Sequence, residues 1–172
     1  MKNKTIKLDI GSGRAKFEDY ITVDNDPSVG ADICVDIENA IVKNYIGDEL
    51  VNDDGKLSLI YNDNVDEIRA HHILEHIRPE NKVKVMALFF DLLKPGGMLD
   101  IEVPLFPHPQ SVQDPTHISF WNKESFWYFI KGNNFGEAFA KRYSQYPVPL
   151  FELVNDEDKN WQYQILLRKP KE

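Results

Sequence analysis

The sequence predicts an α/β fold with an open, mostly parallel β-sheet. Near the start of the chain, the apolar run Ile6 to Ile10 ends in the glycine turn Gly11 to Gly13. Two further short apolar runs each end in an acid, Asp24 and Asp36. Later apolar runs alternate with helical patterns, which is typical of strands joined by crossover helices. Because the carboxyl ends of parallel strands share one edge of the sheet, we expect the turn and both acids at a common rim.

The composition fits one soluble domain. Of the 172 residues, 42% are hydrophobic, which is enough for one sizeable core and too few for two ordinary domains. We therefore expect a single domain over residues 1–172. The N-terminus lacks an apolar core of signal-peptide length and no run could cross a bilayer, so we expect a cytoplasmic protein without membrane contact. The single cysteine, Cys34, lies in an apolar run and is predicted to be a small buried residue.

The charge balance argues against a nucleic-acid substrate. The chain has 28 acidic and 20 basic residues, a net charge of -8, and the basic residues are scattered. Binding to a phosphate backbone depends on clustered Lys and Arg contacts. We expect no nucleic-acid partner.

The glycine turn and Asp24 predict a nucleoside pocket. Glycine lets the chain turn sharply at a strand end, and an ionised Asp accepts hydrogen bonds from both ribose hydroxyls. A dinucleotide site needs a helix after the turn, but Asp24 follows Gly13 by only eleven residues. A ligand without phosphates, such as S-adenosylmethionine, tolerates that absence, since loop N-H groups with Arg14 or Lys16 can hold its aminoacyl group. The alternative is an ordinary glycine turn between two strands.

The middle of the chain predicts further alternating helices and strands. Asp36 either meets the base of the nucleoside or caps a helix predicted over residues 39–51. Residues 65–70 form the fourth predicted strand. Pro79 opens a helix over residues 80–93 that the run Lys94 to Gly97 ends, and residues 98–103 form the fifth strand.

The last third begins with a proline-rich rim or lid loop at about residues 104–122. Asn122 is predicted to cap a helix over residues 123–131, with Trp121 and Phe126 forming a hydrophobic staple. The tail predicts two antiparallel strands joined by a polar turn.

Three predicted strands alternate between apolar and polar residues, whereas strands covered on both faces are nearly continuously apolar. We therefore predict one wet or charge-paired sheet face. Its members are Lys7, Asp9, Arg69, Asp100 and Glu102.

Taken together, the chain resembles the class I S-adenosylmethionine-dependent methyltransferases, especially the small "methyltransferase type 11-like" group. The matching segments are LDIGSG (8–13), YITVD (20–24), ADICVD (31–36), VDEIRAHHILEHI (65–77) and LLKPGGMLDIEVP (92–104). The resemblance implies a Rossmann-like, doubly wound, mostly parallel seven-stranded sheet of order 3-2-1-4-5-7-6, with an antiparallel last pair. The first crossover is truncated relative to that family.

The resemblance also implies a cofactor, S-adenosylmethionine, and residues that bind it. The turn from Gly11 to Gly13 would hold the aminoacyl part together with Asp9, and Asp24 would hold the ribose. The adenine would lie against Asp36 and Ile37. The full set of implied cofactor-binding residues is Asp9, Gly11, Ser12, Gly13, Asp24, Asn25, Asp36, Ile37, Ala70, His71 and His72.

Methyl transfer is an in-line displacement, so the protein mainly aligns the nucleophile and removes its proton. His117 in the rim loop is the leading candidate base because its neutral form exists near physiological pH, and Asp114 and His108 are weaker candidates. A rim-loop histidine without a catalytic role is the alternative. We expect a small-molecule or sugar-type acceptor.

Two other functions compete with this interpretation. The run His72 to His76 matches the H-x-x-E-H pattern of inverted zinc peptidases, with Glu75 as base and Glu152 as a possible third ligand. The methyltransferase resemblance, which needs no metal, expects the same residues in a packing role. The chain could also be a non-catalytic nucleotide-binding or interaction module, because a fold does not fix a function.

Overall fold

The structure is a computed structural model that describes residues 5–42, 62–142 and 148–171. Its centre is a seven-stranded sheet with the order β3-β2-β1-β4-β5-β7-β6. The first five strands run parallel, and β7 pairs antiparallel with both β5 and β6. The strands are β1 (Lys7–Ile10), β2 (Ile21–Asp24), β3 (Ile33–Cys34), β4 (Val65–His71), β5 (Leu93–Pro104), β6 (Glu152–Asp158) and β7 (Gln162–Arg168). The predicted fold class and strand order are confirmed.

The described residues include four α-helices beside the sheet. They are α1 (Ile37–Val42), α2 (Lys82–Leu92), α3 (Lys123–Trp127) and α4 (Asn134–Arg142). Between β1 and β2 the chain forms only turns, and between β2 and β3 it forms a single 3-10 turn, Pro27–Val29. The first crossover is therefore truncated, as the sequence predicted.

One face of the sheet carries the apolar core. Alternate residues of the strands, such as Leu8, Ile68 and Ile101, belong to one buried cluster with residues of α2 and α3. The α2 residues in this cluster are Val85, Met86, Leu88, Phe89 and Leu92. The sequence predicts this helix from an apolar stripe through Val83, Met86, Ala87, Phe90 and Leu93. Met86 and Leu93 are buried, and Val83 and Phe90 pack partly buried against the core. The buried residues Val85, Phe89 and Leu92 are the ones that the stripe omits.

The opposite face is charged and paired, as predicted. Register places Lys7 beside Glu67, and Asp9 and Asp100 on either side of Arg69. Asp9 accepts a 2.8 Å hydrogen bond from Arg69. The face continues with His71, 3.0 Å from Asp100, and with Lys159, 3.0 Å from Glu102. Within the described ranges, no helix packs on this face, which explains why the strands alternate between apolar and polar residues.

Several element boundaries differ from the predicted ones. Strand β5 begins at Leu93, because Leu93 already pairs with Val65, and it continues through Pro95 and the two glycines. Helix α3 ends at Trp127, four residues early, because Ile130 forms a bridge with Phe151.

Other differences concern the first half of the chain. Helix α1 starts at Ile37, two residues before the predicted helix, and the rest of the predicted helix, beyond Val42, lies outside the described residues. The prediction for Cys34 was wrong: β3 has only two residues, and Ile33 faces the core while Cys34 is exposed. Among the described helices, none has both the length and the apolar composition needed to cross a membrane.

Candidate functional site at the carboxyl edge of the sheet

The glycine turn after β1 lies beside the end of β2. Gly11 and Gly13 have φ angles of 72° and 54°, which lie in the left-handed region that glycine tolerates best. A Cβ on Gly11 would lie 2.8 Å from the Cβ of Ile73, so the segment after β4 packs directly against the turn. Gly13 N donates a 2.8 Å hydrogen bond to Asp24 Oδ2. The structure therefore brings together the turn and the acid that the sequence singled out.

The backbone N-H groups of this turn are used within the protein. Gly11 N and Ser12 N both donate to the carbonyl of Val23, at 2.8 and 3.2 Å. Lys16 Nζ donates to the carbonyl of Gly30 at 2.7 Å. The expectation that loop N-H groups and Lys16 are free to hold a ligand is thus not met at these positions. The bond from Gly11 N continues the parallel pairing of β1 with β2, because Ile10 is the register partner of Val23.

The Asp24 carboxylate retains capacity for a ligand. Its Oδ2 accepts from Gly13 N, and its Oδ1 accepts from Asp26 N at 2.9 Å. Each oxygen of an ionised carboxylate has two acceptor positions, so one remains on each. Asp24 is half-buried and the following Asn25 is exposed. The Asp24 carboxylate is therefore not saturated by the hydrogen bonds that it accepts within the protein.

Asp36 adopts the capping role that the sequence left open. Its Oδ1 accepts from Glu38 N at 2.9 Å, and its Oδ2 accepts from the Asn39 side chain at 2.9 Å. Ile37 is 8% exposed and belongs to the core. The structure therefore presents Asp36 as a helix cap at the rim, and most of the Ile37 side chain is covered by protein.

Asp9 is fully buried beneath the turn. One oxygen pairs with Arg69, and the other, Oδ2, has no hydrogen-bond partner among the described residues. The Arg69 guanidinium lies 4.2 Å from the centre of the Phe17 ring, which belongs to the short connector. Phe17 thus connects the short connector to the charged face of the sheet.

Ala70, His71 and His72 occupy three different environments. Ala70 is fully buried on the apolar face. His71 lies on the charged face between Asp100 and Glu102. His72 has a φ of 54°, is 40% exposed and stacks on Trp161 at 5.9 Å. The Glu75 and Glu102 carboxylates, 3.3 and 3.1 Å from its ring nitrogens, raise the pKa of His72.

The rim loop is fixed onto the segment that follows β4. Ile118 N and Ser119 N donate to the carbonyl of Glu75 at 2.9 and 3.0 Å. The Ser119 hydroxyl and the Trp121 indole donate to the carbonyl of Leu74 at 2.8 and 3.1 Å. These four bonds satisfy two buried carbonyls and place the loop over the rim.

The two candidate catalytic residues meet the H-x-x-E-H segment in space. His117 is 9% exposed, and its Nε2 lies 4.0 Å from Glu75 Oε1 and 3.9 Å from Asp114 Oδ2. The His117 and His76 rings are in edge contact, with centres 5.0 Å apart. Hydrogen bonds from Thr116 lower the pKa of Asp114, which makes it a weaker base. The sequence singled out these residues separately, but nothing in it indicated that they form one cluster.

The ligand set proposed for a zinc peptidase is not assembled. The chain forms a 3-10 turn, Leu74–His76, in place of the helix that would align His72 with His76. Glu152 lies at the far edge of the sheet on β6, where it pairs with Arg168 at 2.7 Å.

A separate cleft of about 700 Å³ lies at the opposite end of the strands. It is bounded by Phe90, Pro95 and Lys169, which places it away from the glycine turn. None of the predicted site residues lines it.

Solved structures with this architecture include S-adenosylmethionine-dependent methyltransferases. One from Archaeoglobus fulgidus matches 98% of this chain and 87% of its own, with a TM-score of 0.61 and 17% identity. 1,6-Didemethyltoxoflavin-N1-methyltransferase from Burkholderia thailandensis, solved with 1,6-didemethyltoxoflavin and S-adenosylhomocysteine, matches over 98% and 72%, with a TM-score of 0.54 and 14% identity. A 16S rRNA adenine N1-methyltransferase from Catenulisporales acidiphilia matches over 97% and 85%, with a TM-score of 0.52 and 13% identity.

No protein-family model matches the sequence, and no curated protein matches it significantly. The resemblance seen in the sequence motifs is thus confirmed at the level of the fold. The chain has the seven-stranded fold of the class I S-adenosylmethionine-dependent methyltransferases.

Proposed function

We propose that this protein is an S-adenosylmethionine-dependent methyltransferase that acts on a small-molecule or sugar-type acceptor. The observation that carries the proposal is the 2.8 Å hydrogen bond from Gly13 N to Asp24 Oδ2. It holds a half-buried carboxylate with spare acceptor positions beside a glycine turn at the carboxyl edge of the sheet. That edge is where open α/β sheets bind ligands. The net charge of -8 supports a small acceptor over a nucleic acid.

The proposed binding mode assigns a part of the cofactor to each group of residues. Asp24 and Asn25 hold the ribose, and Asp36 and Ile37 border the adenine. Gly11, Ser12 and Gly13 border the aminoacyl part together with Asp9, whose buried Oδ2 has no hydrogen-bond partner among the described residues. Ala70 and His71 at the end of β4, with His72 directly after it, form one wall of the proposed pocket.

The transfer itself requires little covalent chemistry from the protein. The acceptor atom attacks the methyl carbon, the bond from that carbon to sulfur breaks, and S-adenosylhomocysteine leaves. The rim loop aligns the acceptor, and His117 and Asp114 are proposed to receive its proton. His117 is the better base of the two, because hydrogen bonds lower the pKa of Asp114.

One observation favours a non-catalytic binding module as a second candidate. The N-H groups of Gly11 and Ser12 are both bonded to Val23, which leaves fewer donors for the cofactor than an open turn would offer. Binding of S-adenosylhomocysteine without methyl transfer to any acceptor would support this candidate.

The test compares two neighbouring carboxylates by calorimetric titration with S-adenosylmethionine. Asp24→Asn removes the charge that we assign to the ribose, whereas Asp26→Asn removes a charge from an exposed acid and can keep its bond to Ser28 N. Hydrogen bonds to charged groups contribute roughly 1.5–3 kcal/mol, so Asp24→Asn should weaken binding by about ten-fold or more. Asp26→Asn should change it less than about two-fold. Equal affinities in both variants would remove Asp24 from the pocket.

A further inference from the structure

We propose that Glu75, His76 and His117 form a binding site for a divalent transition-metal ion, and that this ion binds the oxygen of a hydroxyl acceptor. One ligand atom from each of these residues lies within 4.8 Å of the others. Two imidazoles and a carboxylate are a donor set that zinc and other first-row divalent ions bind in proteins.

The first argument is the burial of Glu75. The residue is 2% exposed, and neither carboxylate oxygen receives a hydrogen bond of good geometry from any described residue. His72 Nδ1 lies 3.3 Å from Oε1. A buried carboxylate without hydrogen bonds is costly unless a cation compensates it. A metal ion at this position would supply that compensation.

The second argument is the orientation of the two imidazoles. His76 Nδ1 lies 3.1 Å from the carbonyl of Thr116, and His117 Nδ1 lies 3.1 Å from the carbonyl of Ser111. A carbonyl only accepts, so each Nδ1 carries the proton, and in the neutral ring Nε2 keeps its lone pair. Metal-binding histidines are commonly fixed in this way, with the second ring nitrogen donating to a backbone carbonyl.

The three ligand atoms lie within 4.8 Å of one another, so they must move closer together to share one ion. Zinc bonds of about 2.0–2.2 Å hold tetrahedral donors about 3.4 Å apart. His117 Nε2 lies 4.0 Å from Glu75 Oε1, so the donors must approach by less than an ångström along this edge. Asp114 Oδ2, 3.9 Å from His117 Nε2, is a candidate for a fourth ligand.

The position of the site connects it with methyl transfer, and this part of the inference rests on the proposed function. Ile73, which packs against Gly11 of the proposed cofactor pocket, is two residues from Glu75. A metal ion lowers the pKa of a bound hydroxyl and orients its oxygen. The acceptor hydroxyl would lose its proton to solvent, and its oxygen would then attack the methyl carbon as the carbon-sulfur bond breaks. In this arrangement, His117 acts as a metal ligand and not as the base.

The experiment titrates chelator-treated, dialysed protein with Zn²⁺ in competition with a chromophoric chelator. We expect one ion per chain, and affinity reduced about ten-fold or more in Glu75→Gln, His76→Ala and His117→Ala. His108→Asn is the matched control, because it removes an imidazole from the same loop while Asn can accept the bond from Gln110 N. That variant should bind zinc like the natural chain.

Folding and coordination are checked independently. Circular dichroism melts identify any variant that fails to fold, and His117→Gln then replaces His117→Ala. Co²⁺ should give visible d-d bands that are lost in the ligand variants and kept in His108→Asn. Absence of zinc binding, or equal affinity in all variants, would overturn the proposal.

A parallel titration with S-adenosylhomocysteine, in the presence of chelator, separates the two proposals. Cofactor binding without metal binding would overturn the metal site and leave the proposed function intact. Metal binding at the three residues without cofactor binding would confirm the site but overturn its assigned role in methyl transfer.

Discussion

Two glycines two residues apart have different reasons to be glycine. Both have positive φ angles, but a Cβ on Gly11 would collide with Ile73 at 2.8 Å, whereas a Cβ on Gly13 would meet nothing within 4 Å. Gly13 therefore needs only backbone freedom. Gly11 needs both backbone freedom and empty space.

This difference predicts unequal losses of stability. Gly13→Ala should lower the free energy of unfolding by about 1–2 kcal/mol, the cost of the left-handed conformation alone. Gly11→Ala adds overpacking and should lower it by about 2–5 kcal/mol. Urea unfolding of both variants measures the two costs. Equal costs would show that the contact between Gly11 and Ile73 is looser than the structure indicates.

For single residues, the sequence predicts which side chains lie at the rim better than it predicts the hydrogen bonds that they and the turn make. Two strands ending in acids predict that Asp24 and Asp36 reach the rim, because parallel strands share an edge. The sequence could not predict that Val23 takes the N-H groups of Gly11 and Ser12, since that depends on how closely β2 follows the turn. The capping of α1 by Asp36 was one of two open alternatives, and the structure selects it.

At the scale of elements, the sequence predicts the cap of α3 correctly but does not predict helix α4. Asn122 caps α3 in a capping box with Ser125, and Trp121 stacks on Phe126 at 5.1 Å, as predicted. Helix α4 was not predicted, because Gly136 in its interior lowers helix propensity. A Cβ there would lie 2.8 Å from the carbonyl of Ile130. The glycine is therefore set by a tertiary contact that no local pattern contains.

The terminal hairpin carries a pH-dependent link to α3. Asp156 Oδ2 accepts hydrogen bonds from Lys123 at 2.6 Å and from Tyr163 at 2.8 Å. The Lys123 ammonium holds the pKa of Asp156 below its usual value. A carboxyl whose pKa is lower in the folded state stabilises the fold above its unfolded pKa of about 3.9, and that stabilisation is lost as the pH falls through the folded pKa.

Asp156→Asn should therefore destabilise the protein by about 1 kcal/mol at pH 7 and by progressively less below about pH 4. Thermal melts of both proteins between pH 3 and pH 7 measure this difference. Asp158→Asn is the control: it removes a charge from the same strand and can keep the bond to Asn160 N, so its effect should be small. A constant difference between Asp156→Asn and the natural chain at all pH values would contradict this assignment.

At the scale of the whole molecule, the sheet has two unlike faces, and the sequence predicted both. Alternation in β1, β4 and β5 placed Lys7, Asp9, Arg69, Asp100 and Glu102 on one face, where they form ion pairs. Burial raises the pKa of Asp100, but contacts with His71 and Gln164 outweigh burial and hold that pKa below its usual value. The charges on this face are therefore compensated within the protein.

The cluster of Glu75, His76 and His117 could not be predicted from the sequence, because it depends on a contact between distant segments of the chain. Glu75 and His117 lie 42 residues apart in the chain (117 − 75). They meet because two backbone N-H groups of the rim loop donate to the carbonyl of Glu75, next to the Leu74 carbonyl that the Ser119 hydroxyl holds. Backbone bonds of this kind leave no trace in residue type. The pattern H-x-x-E-H and His117 were each visible in the sequence, but their contact was not.

The most direct test of the central claim is a crystal structure with S-adenosylhomocysteine bound. We expect both ribose hydroxyls to lie within hydrogen-bond distance of the Asp24 carboxylate, with the aminoacyl part beside the turn from Gly11 to Gly13. The adenine should lie towards Asp36. A ligand bound elsewhere, or no ligand at this edge under saturating conditions, would contradict the account.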